Sequence, residues 1–263
     1  MAGTMLLLKR QGWEIHFMNI ASGHCGSVDL PGPEIAGVRR GEAARAAQRA
    51  GAVWHPPLVD DLDIFYEKTT LARLAAVMRE VAPEILLVHS PQDYMEDHMN
   101  ACRLAVTAAF ARGMKNFATD PPRPVAEVQM AVYHAQPHSN RGPLRRPVLP
   151  EFYVDIASVL EDKAACLAQH RSQKRWLDAS QGMDSYLENM RGMGRELGRW
   201  SGRFSSAEGW RRHHPAGYGG PDFEPLRAEL GQLCLANAAY LKTLAPPLPR
   251  RPARRSPQQR RKR

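Results

Sequence analysis

Leu71, Leu74, Val77, Met78 and Val81 recur at the spacing of one face of an amphipathic helix. The run Ile85-Leu86-Leu87-Val88 that follows is too short for a helix and uninterrupted by polar residues, the pattern of a buried strand. The same alternation extends along the chain. Residues 4–11 read as a helix with Thr4 as N-cap and Gly12 as its stop, residues 13–20 as a strand, and residues 21–33 as a loop rich in glycine and proline. An alanine-rich helix over 34–50 closes at Gly51, and 52–54 is a short strand. Thr70 caps the next helix, Pro83 ends it, and a further helix spans 97–112. Strands are expected at 128–134 and 152–156, and helices at 158–169, 180–200 and 225–244, with an irregular stretch from Gly202 to Pro225. Strand and helix in alternation argue an α/β fold, a mostly parallel sheet with helices on both faces. A helical extension follows at the C-terminal side. The organisation expected is one α/β domain over 1–178, the extension over 179–245 and a disordered tail over 246–263.

Composition narrows the class. The 263 residues are 43% hydrophobic and 24% charged, as in ordinary globular proteins. There is no apolar run long enough to cross a membrane, and no basic segment precedes the apolar Met5-Leu6-Leu7-Leu8 as a secretory signal requires. Four scattered cysteines form no C-x-x-C pair, which points to a reducing, cytoplasmic compartment and away from a structural zinc knuckle. The net charge of +9 is concentrated at one end. Residues 250–263 hold eight basic side chains and no acidic one, leaving about +1 on the body. Nucleic acid or an anionic membrane would therefore be met through that tail, which reads otherwise as a solvated end.

The chemistry is concentrated at His89-Ser90-Pro91-Gln92-Asp93-Tyr94-Met95-Glu96-Asp97-His98, where a strand ends and a helix begins. Ligands of open α/β sheets bind at the carboxyl ends of strands. His98 can ligate a metal. Asp97 either orients a histidine ligand or sits as an N-terminal carboxylate favoured by the helix dipole. Asp93 is either a second acid of the site or a loop cap, and His89 either lines the pocket or is a satisfied polar group. Arg39 either binds an anionic part of a substrate or pairs with Glu42 on the helix surface. His170, with Ser172 and Gln173, borders the site or caps a helix. His213-His214 reads as a loop, and Cys25 beside His24 lacks the third group a nucleophile pair needs.

These segments together resemble the PIG-L or LmbE-like zinc deacetylases. Gly3-Thr4 leading into Leu6-Leu7-Leu8-Lys9-Arg10-Gln11-Gly12 is similar to that family's first helix, and Arg39-x-x-Glu42 to its next. Asp61 stands where the family often has an aspartate. Asp97-His98 resembles its second motif, and Lys163 with His170-Arg171-Ser172-Gln173 the end of its core. The resemblance covers about residues 3–176. It implies a Rossmann-like domain hydrolysing an N-acetyl group of a small amino-sugar derivative. Zinc would be held by a histidine and an aspartate of an Ala-His-Pro-Asp-Asp loop together with the histidine of the later motif, the loop's other aspartate acting as base.

Two departures stand out. No His-Pro-Asp-Asp occurs, so His98 alone carries over as a ligand. Either the start lies too far downstream of the true one, or the chain is a shortened, inactive relative that keeps the fold to bind a partner. A doubly wound sheet without its central strand would expose unpaired edges, which favours the first. Met95 stands where sugar deacetylases commonly have a histidine that assists at the oxyanion; a thioether cannot donate a proton, and His134, His138 and His170 are the candidate substitutes.

Overall fold

Five strands hydrogen-bond into one sheet, and two more stand apart from it as a parallel pair. The structure, a computed structural model, describes residues 1–182 and 186–244; the basic tail and the expected start of a helix near 180 lie partly or wholly outside them.

Helix α1 (Ala2–Arg10) buries Leu6, Leu7 and Leu8. Its N-cap is Met1, not Thr4. Thr4 is buried one turn in, because Glu208 serves the helix N-terminus from across the molecule, accepting from Gly3 N at 2.9 Å, Thr4 N at 2.8 Å and Thr4 Oγ1 at 2.7 Å. Strand β1 (His16–Met18), helix α2 (Gly32–Ala50) and strand β2 (Val53–His55) follow. Gly51 takes the left-handed conformation (φ 64°) that ends α2. Helix α3 (Lys68–Val81) is capped by Glu67, whose carboxylate accepts from Thr70 N and from Thr70 Oγ1 at 2.7 Å, so Thr70 is the partner of the cap rather than the cap. Strand β3 (Ile85–Val88) leads into helix α4 (Glu96–Ala111), whose Ala101, Leu104, Ala105 and Ala108 pack on α3 at helical spacing.

Beyond α4 come strand β4 (Ala131–Ala135), strand β5 (Phe152–Asp155), helix α5 (Leu160–Leu167), helix α6 (Arg171–Gln181) and helix α7 (Tyr186–Ser201). Strand β6 (Ala207–Arg212), helix α8 (Pro225–Leu230), strand β7 (Cys234–Ala236) and helix α9 (Ala238–Leu244) complete the described chain. Three expectations are corrected here. The long helix expected from 180 is α7 alone, with α6 occupying 171–181. The stretch taken as irregular contains β6, and the single helix expected over 225–244 is two short helices separated by β7.

The order β3-β4-β6-β5-β7 makes the sheet mixed. Pairs β1-β2 and β3-β4 are parallel, while β4-β6, β5-β6 and β5-β7 are antiparallel. Because β6 lies between β4 and β5, the segment expected as an extension beyond residue 178 is woven into the sheet. One apolar cluster, with Leu74, Leu104, Val88 and Val132, fills the α3–α4 face; a second, with Leu7, Tyr133, Phe152 and Trp210, fills the α1–α8 face. This is the α/β layering expected, with helices on both faces. No ladder joins β1 to β3 among the described residues, yet Met18 of β1 and Leu86 of β3 pack on the same cluster.

Candidate functional site

The carboxyl end of β3 and the first turn of α4 gather four rings. His89 follows β3 directly and stacks on His98, with centroids 4.7 Å apart and planes 4° from parallel. Tyr94 meets His98 edge-on at 5.8 Å and His138 at 5.7 Å. His98 Nδ1 is 3.0 Å from Asp93 Oδ1, and Nε2 has no hydrogen-bond partner among the described residues. A carboxylate on one ring nitrogen fixes the tautomer and leaves the other nitrogen free as a ligand. Asp93 is 1% exposed and also accepts from Met95 N at 3.2 Å. Its burial alone would raise the carboxyl pKa; the hydrogen bond and charge of His98 outweigh that and hold it below its ordinary value. Burial pushes His89 down to about 4, so this ring is neutral at physiological pH.

The orienting carboxylate is therefore Asp93 and not Asp97. Consecutive residues on a helix point about 100° apart, which turns Asp97 away from its neighbour's ring. Asp97 instead accepts from Leu62 N at 2.8 Å and ties the loop after β2 to the start of α4.

Arg39 lies in a second group. The loop between β1 and α2 folds over its guanidinium, and Nη2 donates to Gly26 O at 2.5 Å. A Cβ at Gly23 or Gly26 would meet the Arg39 side chain and push it aside, and Gly23 also takes a left-handed φ of 81°, so glycine there lets the loop close over the guanidinium as it stands. Nε is buried without a partner. The expected pair with Glu42 does not form. Glu42 reaches Ser172 instead, accepting from its N at 2.9 Å and its Oγ at 2.7 Å, and thereby caps α6. His170 is the N-cap residue of α6 and makes no side-chain cap bond. Burial lowers its pKa, with Glu42, Arg39 and Arg45 the nearby charges. The fold thus brings Asp93 and His98 together and leaves Arg39 and His170 in a neighbouring cluster.

A third group was not legible as a unit. His134 of β4 is buried, with Nδ1 3.0 Å from His89 O and 3.4 Å from Cys102 Sγ, and Nε2 2.9 Å from His213 Nδ1. Burial drives His134 down to about 4 and Cys102 up to about 12, so imidazole and thiol are both neutral and no thiolate nucleophile exists here. His213 is held in this group rather than free in a loop.

The metal that the resemblance implies can be tested against these donors. His98 Nε2 suits one position. His24, Cys25 and Asp61 form the one group of three or more His, Cys, Asp or Glu ligand atoms within 4.8 Å of one another among the described residues, and His98 is not part of it. That group is already spent on the loop. The Asp61 carboxylate accepts from Gly23 N at 3.0 Å and Cys25 N at 2.8 Å, and His24 Nδ1 accepts from Asp61 N at 3.2 Å. An imidazole whose Nδ1 accepts carries its proton on Nε2, leaving no lone pair for an ion. Burial and the neighbouring aspartates raise the Cys25 pKa, so a metal would have to displace its proton to bind there. The described residues supply one ligand of a catalytic zinc site and do not complete it. Two cavities, about 630 Å³ against Phe223, Pro225 and Arg227 and about 490 Å³ against Phe110, Met114 and Tyr218, have no histidine in their linings.

Comparison with known proteins adds a lineage to this geometry. Residues 1–110 match the family model PIG-L, GlcNAc-PI de-N-acetylase. A 4-oxalmesaconate hydratase of Pseudomonas putida is 31% identical over 175 residues, 63% of this chain and 65% of that protein. A diacetylchitobiose deacetylase of Thermococcus kodakarensis is 26% identical over 180 residues, 66% of this chain and 64% of that protein. The matches thus span a little under two thirds of these relatives. The crystal structure of the 4-carboxy-2-hydroxymuconate hydratase from Pseudomonas putida superposes with a TM-score of 0.65 at 26% identity, covering 81% of this chain and 90% of that one.

Proposed function

We propose, for a chain that belongs to the PIG-L (LmbE-like) deacetylase family through residues 1–110, a zinc-dependent hydrolase of the deacetylase type acting on a small N-acetylated, amino-sugar-like substrate. The observation that carries this reading is the single imidazole His98, held through Nδ1 by buried Asp93 with Nε2 unbonded at the head of α4. Zinc, when bound, would supply Lewis acidity to a carbonyl and a more acidic water. The chain's own contribution is narrower. Asp93 fixes the ring, Asp97 fixes the loop after β2, and the stack of His89 on His98 sets the direction of Nε2. Among the described residues His98 is the ligand that this segment offers the ion. Arg39 and His170 stand in the neighbouring cluster, and Arg39 reaches a substrate only if the loop carrying Gly26 opens. His138, which meets Tyr94 beside His98, is the best-placed substitute for the donor that Met95 cannot provide.

The test is metal content and hydrolysis together. Zinc uptake by the parent chain, measured by mass spectrometry, is expected to be weak, as a single protein ligand allows, and to be lost in His98→Ala and lowered in Asp93→Asn. Zinc bound equally by His98→Ala would remove the assignment. A second reading, hydration of a carbon–carbon double bond, is favoured by Met95 in place of a histidine and by the greater identity to a hydratase than to the deacetylase. Acetate release from N-acetylglucosamine derivatives separates the two.

A further inference from the structure

We propose that Arg211 is the binding point for a carboxylate carried by a small-molecule ligand of this site. The inference rests on the reading of the β3–α4 cleft as a ligand site, but not on zinc.

Arg79 and Arg112 are buried and Arg211 is half-buried on the α4 side, and the three guanidiniums are treated differently. Arg79 donates to the carbonyls of Ala111, Arg112, Met114, Phe117 and Arg123. Arg112 donates to those of Ala109, Val128, Gly217 and Tyr218. In both, several carbonyl dipoles face the charge, and the fork is filled. Arg211 has two contacts only, Nη2 to Ser90 Oγ at 2.7 Å and Nη1 to Gln92 Oε1 at 3.4 Å. Both acceptors are neutral, and the second bond is at the limit of length. Its Nε is buried with no partner. Among the described residues, no carboxylate lies within 4.0 Å of it, whereas Arg212 beside it pairs with Glu224 at 3.1 Å. Burial lowers the pKa of Arg211 and Arg112 alike, so the difference between them lies in their acceptors.

Position makes this deficit a binding feature. Arg211 stands opposite His134 in the β4–β6 register, so both side chains lie on the α4 face of the sheet. Its two acceptors belong to the segment that also carries Asp93 and leads to His98. Gln92 is exposed, so the weakly held Nη1 side is where a solute would arrive. A carboxylate replacing the Gln92 amide oxygen would turn a 3.4 Å neutral contact into a charge-assisted pair. A ligand that carries a carboxylate gains this pair, and a neutral isostere does not.

The experiment uses the full chain without added metal, with maleate as the probe, maleamide as its neutral isostere and inorganic phosphate as a competing anion. Maleate is expected to bind in calorimetry and to raise the thermal midpoint, while maleamide does neither. Arg211→Gln should weaken maleate roughly 10- to 100-fold. Arg211→Lys keeps the charge and loses the fork, so it should fall between and covers the case in which the glutamine variant fails to fold. Equal binding of maleate and maleamide, competition by phosphate as strong as by maleate, no binding at all, or undiminished binding by a folded variant would each overturn the proposal. Zinc uptake by His98 is read separately, so either assignment can fail alone.

Discussion

Asp93 and Asp97 flank the same turn, and geometry decides between them. Asp97 adjoins His98 in sequence, but successive helical side chains diverge, whereas Asp93 precedes α4 and its loop curls back beneath the ring. Spacing alone offered both residues for the orienting role. His134 gives the residue scale a pH signature. In the folded chain it stays neutral down to about 4, while an unfolded histidine titrates near 6.5. Between those values the unfolded state binds the additional proton, so stability is full above about pH 6.5 and declines as the pH falls towards 4. At pH 5 the loss from this fully buried ring is roughly 2 kcal/mol. Urea midpoints at pH 7 and 5 should move apart in the parent and draw together in His134→Gln; an unchanged gap would count against this account.

At the scale of elements, β6 is the instructive case. Its sequence Ala207-Glu208-Gly209-Trp210-Arg211-Arg212 carries three charges and a glycine, which mask a strand pattern, yet its first four residues are buried. Each polar group has a tertiary reason. Glu208 caps α1 and pairs with Lys163 at 2.8 Å, and Arg212 reaches Glu224 and three carbonyls. Burial would raise the Glu208 carboxyl, but Lys163 and the amino terminus hold it well below the usual range. Helix α7 comes close to the strand through glycines. A Cβ at Gly198 would sit 2.6 Å from Phe204 O and 2.8 Å from Ser205 O, both backbone atoms that cannot rotate away. Gly198→Ala gains about 1 kcal/mol of helix propensity and incurs about 1–3 kcal/mol of overpacking. Net destabilisation in denaturant unfolding is expected; a more stable variant would show that α7 can shift outward at little cost.

For the whole molecule, the division of the sheet matters most. β4 is paired on both sides and all five of its residues are buried, whereas among the described residues β1 and β3 each leave one edge without a strand partner. Unpaired edges in an α/β core are both reactive and locally unstable. Native-state hydrogen exchange should be slowest in β4, β5 and β6 and clearly faster in β1 and β2. Equal protection of β1 and β4 would mean that the two sheets are joined in solution.

The alternation of apolar runs with helical stripes determined the α/β class, the places of α2, α3, β3 and α4, and the concentration of chemistry at 89–98, because these depend on local periodicity and on nearest neighbours in sequence. Asp93 and His98 stood out as candidates for the same reason, but their pairing did not, since Asp97 was the nearer partner in sequence. Only the tertiary structure decided that β6 inserts between β4 and β5, that Glu42 serves α6 rather than Arg39, and that His134, His213 and Arg211 close on the segment after β3. Such outcomes rest on contacts between residues far apart in sequence, as Gly3 and Glu208 are at 205 positions. No local pattern encodes a polar group whose partner is that distant: burial selects it, since an unpaired charge or N–H in the core takes up a large part of the chain's small margin of stability.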